Sequence, residues 1–396
     1  MLGLVLTAGG ARGAYQAGVL QRIGQIPRLR DGSSPFAIVT GASAGAINGT
    51  FIAARSHHFG QGARELVELW AQLSVKRVIR TDLPSLTYAN MRWLWDLSLG
   101  GVFGAGHVHS LMDTTPLYEH LSDVLHLEGI GEAIARGELF AAAVSATSYH
   151  SGRSFTFVQG RPGHPMWTRA RRVTVCTELT PDHVCASAAI PILFPPVKVH
   201  TCAARESYFG DGALRLVTPL SPAIRLGATR ILSIAVRCSV TGAALQRAEL
   251  ALDEPVSAHA AEAAAPPIAQ ICGVFLNALF LDHLDADLDH LVRMNELVMA
   301  GGLSAGDPST GPGMRVVTPL TIAPSSDLAL VAAAFAHRMP LAIRYVMEGL
   351  GTPDAQSADL MSYLLFEPSY TQALIDIGYQ DAAGRIDEIE EFLFRQ

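Results

Sequence analysis

Charge is scarce in this chain. Only 16% of its 396 residues are charged, against 49% that are hydrophobic. That excludes a disordered chain and demands a sizeable core. An excess of positive charge is also missing. The net charge is −7 and the isoelectric point lies near 6.0, so nucleic acid is not expected as a partner. The cysteines (176, 185, 202, 238 and 272) are odd in number and contain no C-x-x-C. Small buried thiols in a reducing compartment fit this better than a disulfide framework or a zinc site. Apolar runs long enough to cross a bilayer without charge are absent, so no transmembrane helix is expected. A basic leader is absent too. The apolar stretch Leu2 to Leu6 is too short for a signal peptide, and a cytoplasmic protein is expected. Mean hydropathy is nevertheless +0.27, high for a soluble protein. The surplus points to exposed apolar surface, for a homo-oligomer or for peripheral membrane contact.

What the chain does have is organised around residues 36–51, FAIVTGASAGAINGTF. An apolar run from Phe36 to Val39 closed by glycine reads as a buried strand. After Gly45, residues Ala46, Ile47, Phe51 and Ile52 have helical spacing. Strand, tight turn and helix with Ser43 at the bend is the G-x-S-x-G nucleophile elbow. The bend forces the serine into a strained conformation, and the small residues at 41, 42, 44 and 45 let neighbouring backbone come close. The helix N-terminus favours an anion forming there. Taken alone, the pentapeptide also fits a small-residue turn or a phosphate-binding turn.

Upstream, residues 2–7 read as a buried strand, followed by Ala8-Gly9-Gly10-Ala11-Arg12-Gly13 and a helix carrying Tyr15, Val19, Leu20 and Ile23. A dinucleotide fingerprint fits this turn badly, because its first glycine is Ala8 and no acidic residue ends the next strand. An oxyanion hole, backbone N–H groups facing developing negative charge, fits better. In a parallel sheet the C-terminal strand ends lie together, so residues 9–11 and Ser43 can meet. Residues 62–80 and 84–99 look helical. Three of the four tryptophans (70, 93, 95) fall there, either as core or as an apolar cap over an acyl-chain cleft. His107 and His109 lack a third ligand, so no metal is expected.

Further strands are expected at 139–147, 155–160 and 230–236, and a last one at 314–319. A short helix stopped by prolines is expected around Ala186 to Pro191. Asp211 and Gly212 end an aromatic stretch, as a simple turn or with Asp211 as base for Ser43. Asp285, Asp287, Asp289 and Glu296 match the carboxylate positions of a calcium loop, but His290 replaces its glycine and the leucines keep helical spacing. A continuous helix is favoured over calcium. Residues 241–267 read as an insertion or linker, and 327–350 as an apolar helix. The basic clusters Lys76, Arg77, Arg80 and Arg169, Arg171, Arg172 read as solvated faces in preference to anionic-lipid contacts.

Four blocks in order resemble the patatin-like phospholipases: LVLTAGGARGAYQAGVL, TGASAGAING, SAAIPILFPPV and YFGDGA. The set spans roughly residues 3–236 and extends weakly to about 350. Ala8 departs from the family's usual third glycine. The resemblance implies an α/β three-layer sandwich, with a mainly parallel central sheet flanked by helices and with helical insertions. A catalytic domain is expected over 1–350, with a cap at about 62–125, an insertion at about 241–313 and a helical tail over 351–396. The implied activity is lipid acyl-ester hydrolysis without a cofactor, of the phospholipase A or lysophospholipase type. It would use a dyad of Ser43 and Asp211 with no histidine. Gly9, Gly10 and Ala11 would hold the oxyanion, and Arg12 would order the loop or meet a lipid phosphate. Rival readings are a Ser–His–Asp hydrolase, disfavoured because His290 and His337 sit in helical patterns, an acyltransferase on the same elbow, and a non-catalytic lipid- or nucleotide-binding module.

Overall fold

The computed structural model describes residues 1–80, 110–201, 205–238, 283–300, 315–339 and 358–395, with positions 271, 273–275, 277, 278 and 344. The expected helix at 84–99, with Trp93 and Trp95, lies outside the described residues, as do His107, His109 and the stretch 241–267.

Among the described residues ten strands form one mixed sheet: β1 Leu2–Leu6, β2 Ile38–Ala42, β3 Ala141–Ser148, β4 Ser154–Gly160, β5 Thr168–Arg169, β6 Arg172–Cys176, β7 Val197–Thr201, β8 Arg205–Gly210, β9 Arg230–Ile234 and β10 Thr318–Ile322. The order is β10-β9-β1-β2-β3-β4-β6-β5, and the run from β10 to β3 is parallel throughout. Each central strand is apolar on both faces, as a parallel sheet covered on two sides requires. Alternate residues divide between two cores. Leu4, Leu6, Val144, Leu232 and Ile234 face one, while Val5, Ala143 and Ile231 face the other. The larger core is covered by the helices Gly13–Gly24, Ala44–Ala54, Phe59–Gln72 and Pro368–Gly384. The smaller is covered by Ser221–Leu226 and His283–Met299. The result is the three-layer α/β sandwich expected, with a mainly parallel centre.

Several boundaries differ from those read off the sequence. The strand expected at 314–319 starts at Thr318. The Asn295 side chain takes both backbone groups of Val317, donating to its carbonyl at 2.7 Å and accepting its N–H at 2.9 Å, so pairing begins one residue later. Pro319 is tolerated because β10 is an edge strand. The helix expected from 327 stops at Ala334 and continues as a short 3-10 turn, Ala336–Arg338; Pro340 follows, and residues 340–350 lie outside the described residues but for 344. The helix near the prolines covers Pro181–Ser187, earlier than expected, with Thr180 and His183 forming a capping box. His283–Met299 is one continuous helix, and Asp287 turns inward to accept the Leu220 N–H at 2.8 Å.

The helix Pro368–Gly384 lies along Gly13–Gly24, so the end of the chain buttresses the glycine loop near its start. Tyr15 donates its hydroxyl to Asp381 at 3.0 Å and Tyr379 to Gln25 at 2.7 Å. The helices touch backbone to backbone: a Cβ on Gly18 would sit 2.0 Å from the Ile375 carbonyl oxygen. Gly18→Ala is therefore expected to lower stability by about 1–3 kcal/mol through overpacking, read as a shift in the urea unfolding midpoint at unchanged slope.

Candidate active site

β2 ends in the bend that the sequence foretold. Ser43 has φ 55° and ψ −127°, a conformation that costs a non-glycine residue about 1–3 kcal/mol. Three contacts hold it. The Ser43 N–H donates to the Ser187 hydroxyl at 2.9 Å, and that hydroxyl donates onward to the Ser145 carbonyl at 2.6 Å. The Ser43 carbonyl accepts the Ala46 N–H at 2.8 Å and so starts the elbow helix. Glycine at 41 and 45 is a steric necessity, since a Cβ on Gly41 would lie 2.0 Å from the Gly45 oxygen.

Sheet register brings Asp211 to the same place. β2 pairs with β3 up to Ala42 opposite Ser145. Beyond that point β2 has turned away, and the same edge of β3 is taken by antiparallel β8, with Gly210 opposite Thr147. Extended by one residue, both registers point to Ala146, one delivering Ser43 and the other Asp211. The Asp211 backbone is fixed there by its N–H to the Ala189 carbonyl at 2.9 Å and by the Thr147 hydroxyl on its carbonyl at 2.8 Å.

The Asp211 side chain is fully buried. Its Oδ1 accepts the Ala213 N–H at 2.9 Å, while Oδ2 is sealed from water without a well-aligned partner. Burial pushes its pKa up to about 7, against the opposing pull of hydrogen bonding from the Ser43 side chain and the Ala213 N–H. No histidine acts on this carboxyl, and none lines the pocket at Ser43 among the described residues.

The glycine loop forms the facing wall. Gly10 carries the left-handed conformation, φ 56°, that the turn needs, so Ala8 is not required to adopt it. The N–H groups of Gly9, Gly10 and Ala11 have no acceptor among the described residues. Gly10 and Ser43 line one apolar pocket with Ile47, Trp70, Leu117 and Phe366. The pocket is about 30 Å³, room for one water, and Ser43 is only 3% exposed. Arg12 is buried beneath the loop. Its Nε donates to Ser362 at 2.8 Å, its Nη2 meets Asp359 at 3.1 Å, and its guanidinium lies 4.5 Å from the Tyr363 ring centre.

Sequence reasoning missed the residues that support the site. Ser187 was visible within the proline block, but nothing local marks it as the acceptor for Ser43. Trp70, Asn48 and Gln16 form a buried chain of hydrogen bonds. Trp70 donates to Asn48 at 2.7 Å, Asn48 to Gln16 at 2.9 Å and to the Gly13 carbonyl at 3.0 Å, and Gln16 to the Thr7 carbonyl at 2.9 Å. It ties the elbow helix to both ends of the glycine loop.

The family model for patatin-like phospholipases matches residues 4–224, more than half of the chain. The chain belongs to that family. No curated protein matches the sequence. Among solved structures it is similar to VipD from Legionella pneumophila, at 12% identity and a TM-score of 0.31, covering 94% of this chain and 66% of that one. It is also similar to human GIVD cytosolic phospholipase A2, at 12% identity and a TM-score of 0.41, covering 99% and 60%. A third is full-length ExoU from Pseudomonas aeruginosa in complex with SpcU, at 16% identity and a TM-score of 0.19, covering 40% and 34%. The chain thus spans less than two thirds of each of these proteins.

The raised pKa of Asp211 has a consequence for stability. In the unfolded chain this carboxyl loses its proton near 3.8; in the patatin fold it keeps the proton to about 7. Between those values the unfolded state binds fewer protons, so native stability falls as pH rises through the window. Asp211→Asn is expected to be more stable than the parent, with the gain growing from about pH 4 to about pH 7 and flat above. Denaturant unfolding at pH 5 and pH 8 measures it, and an equal gain at both values would contradict the raised pKa.

Proposed function

We propose that this protein is a serine acyl hydrolase that cleaves fatty acyl esters of lipids, of phospholipase A or lysophospholipase type, through Ser43 and Asp211. The observation that carries the reading is the sheet register that brings a serine at a strained elbow and a buried carboxyl with a pKa near 7 to the same point on β3. An ordinary aspartate is a poor base at neutral pH; one raised to about 7 is matched to the task. Family membership and the three acceptor-free N–H groups opposite support it.

In this reading Ser43 Oγ attacks the ester carbonyl carbon while its proton passes to Asp211. The N–H groups of Gly9, Gly10 and Ala11 hold the oxyanion. Asp211 returns the proton to the departing alcohol, leaving an acyl-enzyme. Water then attacks the acyl carbon and yields its proton to Asp211, the fatty acid leaves, and the proton goes back to Ser43. Arg12, committed to Ser362 and Asp359, serves to hold the loop. The apolar walls suit an acyl chain, which enters only after the pocket widens beyond one water. That picture fits a protein that meets its substrate at a lipid surface. Among the described residues no helix is long and apolar enough to cross a membrane.

Ser43→Ala is expected to reduce fatty-acid release from an acyl ester by about a thousandfold or more with the fold intact, and Asp211→Asn nearly as much. Labelling by a fluorophosphonate, located on Ser43 by mass spectrometry, tests nucleophile and reaction class together. Retained turnover in either variant ends the reading. Transfer to an added alcohol in preference to water would make the protein an acyltransferase instead.

With Asp211 as the base, kcat/KM is expected to rise with pH through an apparent pKa near 7 and to level above it. A rate that is flat between pH 5 and pH 8 would remove Asp211 from the proton transfer.

A further inference from the structure

A cavity much larger than the pocket at Ser43 lies elsewhere in the described structure. It measures about 830 Å³ and lies in the second layer, between β5 and β6, the helix Ser221–Leu226 and the helix His283–Met299. Its floor belongs to the smaller core, through Trp167, Leu291 and Val317, whereas the pocket at Ser43 is walled by the larger one.

Four arginines line this cavity from three separate parts of the chain: Arg169 and Arg172, Arg225, and Arg315. None forms an ion pair with a carboxylate among the described residues. Arg172 and Arg225 both donate to the same hydroxyl, Ser221, each at a long 3.3 Å. Arg225 is crowded as well as half-buried, and burial and the charges of Arg169 and Arg172 hold its pKa below the usual arginine range. Arg315 donates Nη2 to the Ile224 carbonyl at 2.5 Å, but its Nε is buried without a partner, as is the Thr218 hydroxyl on the same wall. Among the described residues one carboxylate lines the cavity: Asp287 accepts the Leu220 N–H and feels the charges of Arg172 and His290 without a direct ion pair, too little to balance four arginines.

Clustered like charges and unfilled buried donors are both unfavourable unless something neutralises them. Guanidinium groups are donors in a planar fork that suits phosphate oxygens. The cavity is far larger than a phosphate ion, so the anion carries an organic body. Met294 and Val298 on the wall and half-exposed Met166 at the lip offer apolar contact for it.

We propose that this cavity is a binding site for a phosphomonoester, its phosphoryl group held by Arg169, Arg172, Arg225 and Arg315 and its organic part lying against Trp167 and Met166. The site is separate from the serine chemistry, and neither reading depends on the other.

The test uses the full chain carrying Ser43→Ala, so that lipids stay intact. Calorimetry with glycerol 3-phosphate reads the soluble ligand. Sedimentation with phosphatidylcholine vesicles, with and without phosphatidic acid, reads the same group on a lipid. Arg225→Gln, and Arg169→Gln at an exposed position where folding is not at stake, are expected to weaken binding about tenfold or more. Loss in the calorimetric arm assigns a soluble phosphomonoester. Loss of recruitment by phosphatidic acid assigns a lipid headgroup. Absence of saturable binding in both arms, or binding that neither variant weakens, overturns the proposal.

Discussion

A carboxyl group held out of water is the constraint on which the rest of this structure turns. Asp211 has one hydrogen bond from Ala213, one neighbouring hydroxyl and no counter-charge. Taking such a group from solvent disfavours its ionised form, and the raised pKa records that cost. The backbone around it is anchored on three sides, by Ala189, by Thr147 and by the ladder of β8 on β3. The same arrangement that destabilises the native state at neutral pH gives the carboxyl the basicity that the proposed reaction asks of it. Stability and the proposed chemistry therefore pull against each other at one residue.

The opposite wall of the site is held differently. Its glycine loop is pinned from behind by neutral hydrogen bonds running from Trp70 through Asn48 and Gln16 to Thr7. It is pinned from the side by Arg12, whose partners Asp359 and Ser362 lie near the end of the chain. A Cβ on Gly10 would strike the Tyr363 carbonyl oxygen at 2.5 Å, so this last segment presses directly on the loop. In the proposed mechanism these backbone N–H groups hold an oxyanion, which donors do most effectively when they need not reorganise. Fixing them with contacts from both ends of the chain is one way to achieve that.

The two layers of the sandwich differ in character. On one side the sheet faces an apolar interior that closes over Ser43. On the other, arginines from three segments surround an open cavity. In the sequence, Arg169, Arg171 and Arg172 read as a solvated face. Arg171 remains exposed, whereas Arg172 joins Arg225 and Arg315 at the cavity wall.

The sequence by itself determined the local pieces. Apolar runs closed by glycine marked β1 and β2, Gly41-Ala42-Ser43-Ala44-Gly45 marked the elbow, and the leucine spacing kept 283–299 helical against the pattern of a calcium loop. These features depend on neighbours a few residues apart, which a linear reading contains. Only the tertiary structure decided what those pieces meet. Ser43 and Asp211 are separated along the chain yet converge because β2 leaves the edge of β3 where β8 arrives. Burial of Asp211, the Ser187 brace, the Arg12 tie and the grouping of four arginines have the same origin. Each is set by sheet register and layer packing between distant segments, and no local pattern encodes that.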